Sequence, residues 1–413
     1  MGMAKRAMEE AEARGYWGSD DWVCKSCVDE EFLENKIKAA ADPEEECTFC
    51  EQAPAAPLDV LVDAFYKGMR VDYATVDEEG VPYDPEEYGY LLTPKTAEEL
   101  VLDDYSDVLV GDGLAEAVAA LLDDSSLWVK RGAWAGDTTR EILTTGWESF
   151  CHSLKHETRY VFMVERPKTE RDFRELSPGE MLKAVGAMVD LHYLYSEIVP
   201  GTRFWRARTG MMPTPDWSAR DLGTPRIEHS KQANRMSPAG IPMFYGASDS
   251  DTAIRETLGR ATATHVTAAA FAVGRTLSVI DLTNAKLPLI PSQFDIEKLP
   301  ERDSIQFLHD FTRRLSEPIR ETYEQVDYVP TQVLTEYLLK AHARGEESAD
   351  GLMYSSAITG KPCVVLNIPN SMCVDRGVEV VHEGFLRIDL DKEAHLVMDP
   401  ESIATYKIGR TYS

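Results

Sequence analysis

Cysteine is the residue type whose spacing points most directly to chemistry in this sequence. Four of the seven cysteines form two pairs, Cys24 with Cys27 and Cys47 with Cys50, and 19 residues separate the pairs. Each Cys-x-x-Cys turn can direct two thiolates at one metal ion, and two such turns complete the tetrahedral sulfur shell of a structural zinc site. We therefore predict that Zn²⁺ binds these four thiolates and leaves no position open for water. The alternative is that one or both pairs are free or redox-active thiols.

Four segments in the C-terminal half concentrate arginine, aromatic and hydroxyl residues. In the first, Phe204-Trp205-Arg206-Ala207-Arg208, alternation along a strand places Arg206 and Arg208 on the same face. The second is a polar loop that contains Pro and Gly, the third joins a Tyr-Gly strand to the start of a helix, and the fourth is a strand that ends in two serines. These three segments are Asn234–Gly240, Phe244–Glu256 and Gly351–Ala357.

The four segments resemble the RES domain, which is named after its Arg, Glu and Ser. The family pattern runs from an Arg on the first strand through a Pro/Gly loop, a Tyr-containing strand and x-Ala-x-x-Glu to a later Gly-x-x-Tyr-x-Ser. The same order recurs here across residues 196–370. The resemblance implies a fold similar to ADP-ribosyltransferases and degradation of NAD⁺, with phosphate or water as the nucleophile. Many RES domains act as toxins that a separate antitoxin holds in check.

The region before residue 196 contains the two cysteine pairs with Asp29 and Phe32, then Trp147-Glu148-Ser149-Phe150 and Arg159-Tyr160. In these residues it resembles the HEPN/RES N-terminal domain that precedes some RES domains. HEPN-type ribonucleases carry an Arg, then four to six residues, then a His, but His152, His156 and His192 have no Arg at that distance upstream. We therefore predict that this helical region is not catalytic.

The resemblance to the RES domain implies a role for each of five residues. Cleavage of the bond between nicotinamide and ribose leaves an oxocarbenium-like centre at C1′, which the Glu256 carboxylate would stabilise. Arg206 and Arg235 would bind the diphosphate of NAD⁺ through paired hydrogen bonds. Tyr245 would stack on nicotinamide, and the Ser356 hydroxyl would orient phosphate or substrate.

Alternatives stay open for these residues and for the function. Ser355 stands where the family often has Pro, so it competes with Ser356 for the place of the family serine. Each of the five residues also has an ordinary structural interpretation; an acid such as Glu256, for example, is favoured near the start of any helix. Two other functions fit the sequence, namely an ADP-ribosyltransferase that modifies a macromolecule and a zinc-ribbon interaction protein with an inactive RES domain. Four more polar residues near the motifs are predicted to be supporting or structural: Arg208, Gln332, Glu336 and Asn367.

The periodicity of apolar residues predicts the elements that position these side chains. We predict a multidomain α+β protein with a zinc-binding segment at residues 1–56, an acidic helical HEPN-like domain at 57–195 and a mixed α/β RES catalytic domain at 196–413. Helical spacing predicts helices that include 57–69, 113–122, 138–157 and 177–195, with a loop at 77–92. Runs rich in β-formers predict strands at 203–209, 242–248, 265–273, 276–282, 351–356 and 362–368.

The charge of the chain limits its partners. Asp and Glu number 71 against 43 Lys and Arg, so the net charge is −28, and residues 59–124 alone contribute −15. General nucleic-acid binding is not expected, because such proteins neutralise phosphates with Lys and Arg. No apolar run approaches the roughly 20 residues that span a bilayer, and the N-terminus lacks the apolar region of a secretory signal. We therefore expect a cytoplasmic protein that does not bind membranes; the sequence does not indicate its oligomeric state.

Overall fold

The computed structural model divides the chain into two compact units, each described separately below. The first consists of Met1–Glu141 and Leu289–Gln306, and the second of Ile142–Pro288 and Phe307–Ser413. The three predicted domains stay a prediction, because compactness and sequence families divide a chain by different criteria. The structure describes residues 8–9, 11, 13–86, 88–122, 126–134, 138–162, 176–210, 217–258, 263–316, 324–342, 348–377, 379–381, 387–389 and 394–408.

Helices and short strand pairs build the first unit around a large hydrophobic core and a smaller one. Its helices are α1 (Glu31–Ala40), α2 (Leu58–Asp72), α3 (Val76–Glu79), α4 (Ala97–Asp104) and α5 (Leu114–Leu121). Its strands pair as β1 (Trp22–Val23) with β2 (Ala56–Pro57), β3 (Tyr73–Thr75) with β6 (Trp128–Lys130), and β4 (Tyr83–Asp84) with β5 (Gly89–Tyr90). Spacing of four residues puts Leu61, Phe65 and Met69 on one face of α2, and all three are fully buried in the core.

The first unit confirms the predicted helices at 57–69 and 113–122 as α2 and α5. The prediction of a loop at 77–92 is wrong in part, since α3 and the β4–β5 pair occupy much of it. Helix α3 forms because Thr75 and Glu78 make a capping box, and it ends where Gly80 adopts a left-handed conformation with φ of 66°. Helix α1, between the two cysteine pairs, was not predicted; the Glu30 side chain caps it by accepting from the Leu33 amide.

A ten-stranded mixed sheet forms the centre of the second unit. Its strands are β7 (Tyr195–Ile198), β8 (Arg203–Gly210), β9 (Phe244–Ala247), β10 (His265–Val273), β11 (Leu277–Leu282), β12 (Gly351–Ser355), β13 (Pro362–Leu366), β14 (Cys373–Asp375), β17 (Leu396–Met398) and β18 (Ala404–Lys407); β15 (Glu379–Val381) and β16 (Arg387–Asp389) pair separately. Nine strands follow the order β14-β17-β10-β8-β9-β13-β12-β11-β7, and β18 pairs with β10. The six predicted strands are all confirmed, as β8 to β13.

Helices pack on both faces of this sheet. They are α6 (Thr139–His156), α7 (Pro178–Leu191), α8 (Ala219–Leu222), α9 (Ser250–Leu258), α10 (Leu299–Ser316, of which 307–316 belong to this unit), α11 (Glu324–Asp327) and α12 (Val329–Glu336), which continues as a π-helical segment, Tyr337–Ala341. The helix predicted at 177–195 ends at Leu191, because the chain then turns into β7 and pairs with β11. None of the helices in the described residues is both long and apolar enough to cross a bilayer.

The sheet is split between β8 and β9. These strands pair at one position in the described residues, Trp205 opposite Ala247, while β8 is fully paired with β10 and β9 with β13. Side chains alternate along β8, so Trp205 and Ala207 pack on the face that α9 covers, together with Ala253 of that helix. Arg206 shares the opposite face with Phe204, which packs against α8 and Phe244. At the split, the face of β8 that carries Arg206 therefore meets the apolar face that α9 covers.

Candidate functional site

A pocket of about 900 Å³ lies at the split in the sheet. Strands β8 and β9 line it together with α9 and the 217–235 segment that follows β8 in the described chain. Six Lys and Arg residues line the pocket against two acids, Asp221 and Glu256. This excess of positive charge is notable in a chain whose net charge is −28. The pocket therefore favours an anionic ligand.

Arg206 is almost completely buried in the pocket wall, with 7% of its surface exposed. Its Nη1 donates to the Tyr245 carbonyl at 2.8 Å across the split, and its guanidinium carbon lies 5.2 Å from the Phe244 ring centroid. Burial, and then the charge of Arg208, lower the pKa of Arg206 to about 9. Arg206 is still protonated at neutral pH, so it presents a desolvated cation to the pocket.

Arg235 and Tyr245 belong to a second, hydrogen-bonded part of the wall. Arg235 Nη1 donates to the Leu315 carbonyl at 2.5 Å. The Tyr245 hydroxyl lies 2.9 Å from Ser237 Oγ and accepts from the Met236 amide at 3.3 Å. Tyr245 is thus held at both ends: its hydroxyl contacts the loop that carries Arg235, and its main-chain carbonyl accepts from Arg206.

Two residues of α12 hold the loop around Arg235. The Thr331 hydroxyl donates to the Arg235 carbonyl, and Gln332 Nε2 donates to the Asn234 carbonyl at 2.7 Å. Both side chains are buried, so these bonds are shielded from water. Gln332, predicted from sequence to be supporting or structural, lies where it can support the loop.

Glu256 and Ser356 contact each other directly. Ser356 Oγ donates to Glu256 Oε1 at 2.5 Å and accepts from the amides of Ile358 and Thr359 at 3.1 and 3.2 Å. Ser356 is buried, and the pocket wall contains Glu256 but does not include Ser356. The hydroxyl therefore has its donor and acceptor sites occupied by the protein, and its donated bond goes to the Glu256 carboxylate. Ser355 has a different partner, the Asn284 amide, which donates to its Oγ at 3.1 Å.

The structure thus brings four of the five candidate residues into one pocket and connects the fifth to it. Arg206, Arg235, Tyr245 and Glu256 line the pocket, and Ser356 contacts Glu256. Their roles in binding and catalysis remain predictions.

Sequence reasoning missed several pocket residues. Tyr354 and Cys363 line the wall near Glu256; burial raises the pKa of Cys363 to about 12 and that of Tyr354 well above its usual value, so neither adds negative charge. Arg208 was placed on the same strand face as Arg206 and was predicted to be supporting or structural, but it lines the pocket directly. Trp217 and the exposed cations of the following loop carry no motif, so nothing in the sequence pointed to them.

The two cysteine pairs come together in the first unit. Sγ of Cys24 lies 3.8 Å from that of Cys27 and 3.4 Å from that of Cys50, and Sγ of Cys27 lies 3.7 Å from that of Cys47. All four sulfurs lie within 4.8 Å of one another. Zinc–sulfur bonds of about 2.3 Å require sulfurs about 3.8 Å apart in a tetrahedron, so the cluster fits a zinc ion.

The environment of these thiols also suits a cation. Burial and the neighbouring sulfurs raise the pKa of Cys27 well above its usual value. Four thiolates repel one another without a cation, and a bound divalent ion reverses this effect. The β1–β2 pair holds the chain on either side of the two cysteine turns together.

Comparison with known families matches two consecutive regions of the chain. A model for HEPN/RES N-terminal domain 1 matches residues 40–168, and a model for the RES domain matches residues 203–389. The first match includes Cys47 and Cys50, and the second includes all five candidate pocket residues. None of the curated proteins compared with the chain matches it. The chain therefore contains a RES domain, which is preceded by a HEPN/RES N-terminal domain.

Proposed function

We propose that this protein degrades NAD⁺ by cleaving the bond between nicotinamide and ribose. The observation that carries the proposal is that the Glu256 carboxylate and the buried Arg206 cation line the same pocket, at the split between β8 and β9. NAD⁺ has the matching chemistry, with an anionic diphosphate at its centre and a carbon that becomes cationic at one end. The match to the RES domain supports enzymatic activity on NAD⁺ in general.

The proposed reaction exchanges one bond at the ribose C1′. The C1′–N bond breaks and both of its electrons leave with nicotinamide, which departs as a neutral molecule. The positive charge that develops on the ribose is stabilised by Glu256, and an oxygen of phosphate or water then forms the new bond to C1′. The products are nicotinamide and ADP-ribose 1″-phosphate or ADP-ribose, and a proton is released from water or from a protonated phosphate.

The protein side chains divide this work by their contacts. Glu256 faces the reacting carbon, and Ser356 fixes the carboxylate through its 2.5 Å hydrogen bond. Arg206 binds the diphosphate, and Tyr245 offers a ring whose hydroxyl is tied to the loop of Arg235. Catalysis then depends on orientation, which can contribute several kcal/mol, with an upper range of about 7–11 kcal/mol.

We further propose that Cys24, Cys27, Cys47 and Cys50 bind one structural Zn²⁺ ion. The metal would supply a crosslink between the two cysteine turns. The four sulfur ligands leave no position for a substrate, so this site has no role in the reaction at C1′.

The test is to incubate the protein with NAD⁺, with and without inorganic phosphate, and to identify products by mass spectrometry. We expect loss of NAD⁺ and release of nicotinamide. A 1″-phosphate that forms only with phosphate indicates phosphorolysis, ADP-ribose indicates hydrolysis, and ADP-ribose attached to protein or nucleic acid would favour a transferase instead. Intact NAD⁺ under all conditions would contradict the proposal and favour an interaction protein with an inactive domain.

A toxin or defence role follows from the proposed chemistry, since every cell needs NAD⁺. The same products would then appear in cells that express the protein, together with arrested growth, and a separate antitoxin would suppress both. Unchanged cellular NAD⁺ during expression of an enzyme that is active in vitro would contradict this role.

The two adjacent serines provide a matched pair of variants. Ser356→Ala removes the bond to Glu256, and we expect nicotinamide release to slow by about 10- to 100-fold, the effect of losing one hydrogen bond to a charged group. Ser355→Ala removes only a bond to the Asn284 amide and should leave the rate within about twofold of the original. The measurements are steady-state rates and the melting temperature of each variant. Equal rates for both would remove Ser356 from the site.

A further inference from the structure

Two arginines of β8 lie on one face of the sheet without a carboxylate partner. Arg206 and Arg208 stand opposite Ala269 and Thr267 of β10 and are separated by one residue. Their hydrogen-bond partners are main-chain carbonyls, Tyr245 for Arg206 at 2.8 Å and Gly223 for Arg208 at 2.7 Å. In the described part of the chain, neither forms an ion pair with an Asp or a Glu.

Unused hydrogen-bond donors concentrate at the same place. Five buried side-chain nitrogens in the described residues have no hydrogen-bond partner. Three of them belong to residues that line the pocket, namely Nε of Arg206, Nε of Arg208 and Nε1 of Trp217. A buried polar group without a partner is costly, and such groups are found where a ligand or ion completes the bonding.

The electrostatics of this face call for an anion. Burial lowers the pKa of both Arg206 and Arg208, and the charge of Arg208 adds to the effect on Arg206. The Asp221 carboxylate in the same pocket acts in the opposite direction on the pKa of Arg208, although it forms no ion pair with it in the described chain. Two like charges held together away from water are stable only when an opposite charge compensates them. Guanidinium groups bind phosphoryl oxygens through paired hydrogen bonds, and the unpartnered Nε of each arginine is one donor for such a pair.

The position of the two arginines also selects the part of the ligand that they bind. They extend from the face opposite to Trp205 and Ala207, against which α9 packs, and α9 carries Glu256. Residues of both faces line the one pocket, so a ligand that contacts both groups would cross the split between β8 and β9. An extended dinucleotide can do this, with its central anionic bridge on one face and its reacting ribose on the other.

We propose that Arg208 is a substrate-binding residue, which together with Arg206 and the Trp217 indole forms a site for the diphosphate bridge of a dinucleotide. This assignment rests on the proposed activity toward NAD⁺ and adds to it. In this assignment Arg206 and Arg208 bind the diphosphate together, and Arg235 contacts the part of the ligand that lies beside Tyr245. The exposed side chains of Arg220, Arg226 and Lys231 extend the positive charge to the pocket rim.

The experiment measures binding of inorganic diphosphate to the full chain by calorimetry, without NAD⁺. We expect the wild-type protein to bind diphosphate more tightly than orthophosphate. Arg208→Gln, which retains an amide to donate to the Gly223 carbonyl, should weaken diphosphate binding by about tenfold or more. Trp217→Phe, which keeps the aromatic body, should weaken it by a smaller factor. Arg203→Gln is the matched control, because Arg203 lies on the same strand with an exposed side chain and should not affect binding.

Kinetics provide the second readout. If Arg208 binds the bridge, Arg208→Gln should raise KM for NAD⁺ by about tenfold and leave kcat within about twofold. If the melting temperature of this variant is much lower than that of the wild-type protein, Arg208→Lys is used instead, because it keeps the charge and loses the paired hydrogen bonds. Diphosphate binding that is unchanged in both variants, or equal binding of orthophosphate and diphosphate, would overturn the assignment. A different outcome would separate the two proposals: the protein binds diphosphate, the binding depends on Arg208, and NAD⁺ is never consumed. That result would contradict the proposed function and support the anion site.

Discussion

Replacing Glu256 with Gln is expected to slow nicotinamide release from NAD⁺ by about 10³-fold, the scale expected when a group that stabilises transition-state charge is lost. The amide has nearly the same shape but no charge, so it can still accept the hydrogen bond from Ser356 while it no longer stabilises a cationic ribose. Because the charge matters in the transition state, kcat should fall more than KM rises. The measurement is the steady-state rate at several NAD⁺ concentrations.

The control for this variant lies on the same helix. Asp251 is an exposed acid of α9 that pairs with Arg255, so Asp251→Asn removes one negative charge outside the pocket wall. We expect its rate to stay within about twofold of the original. A Glu256→Gln protein that is folded and as active as Asp251→Asn would show that another group stabilises the ribose.

Loss of the cysteine cluster is expected to have the largest effect on stability. Zinc binding to such sites contributes about 10–16 kcal/mol in small peptides, which is comparable to the whole stability of a domain, about 5–15 kcal/mol. The double variant Cys47→Ser/Cys50→Ser removes one of the two turns, so the first unit should lose its metal and unfold. Wild-type protein should contain about one zinc per chain by elemental analysis.

The readouts for this second prediction are zinc content and thermal unfolding by circular dichroism. Cys151→Ser is the control, because Cys151 lies outside the cluster, is only partly buried and should not affect zinc content. Strong chelators should reproduce the effect of the double variant. Unchanged zinc content and an unchanged melting curve in the double variant would contradict a structural zinc site.

The position of the pocket at the split explains why arginines of one sheet face and the Glu256 carboxylate of the helix on the other face can both line it. A continuous sheet would separate the arginine face of β8 from the face that α9 covers. The single pairing of Trp205 with Ala247 leaves the strands apart beyond that point, so the pocket reaches residues from both faces. The wall at the split is completed by side chains, above all by the bond from Arg206 to the Tyr245 carbonyl.

The sequence determined the parts of this protein that depend on local pattern. Six strands were predicted because their β-rich runs alternate or stay apolar, and all six are present. The cysteine spacing alone indicated the sulfur cluster, because a Cys-x-x-Cys turn is a local structure. The motif order was enough to predict the RES domain, since Arg206, Tyr245 and Glu256 each occur in a short local context.

Only the tertiary structure decided which side chains meet and which face they share. It distinguished Ser356 from Ser355, because adjacent residues at a strand end point in different directions, one to Glu256 and the other to the Asn284 amide. It also placed Arg208 and Trp217 in the pocket, since their position depends on the split between β8 and β9 and on a loop without a motif. Local propensity carries no information about where a sheet opens, because that depends on which strands remain paired after the whole chain has packed.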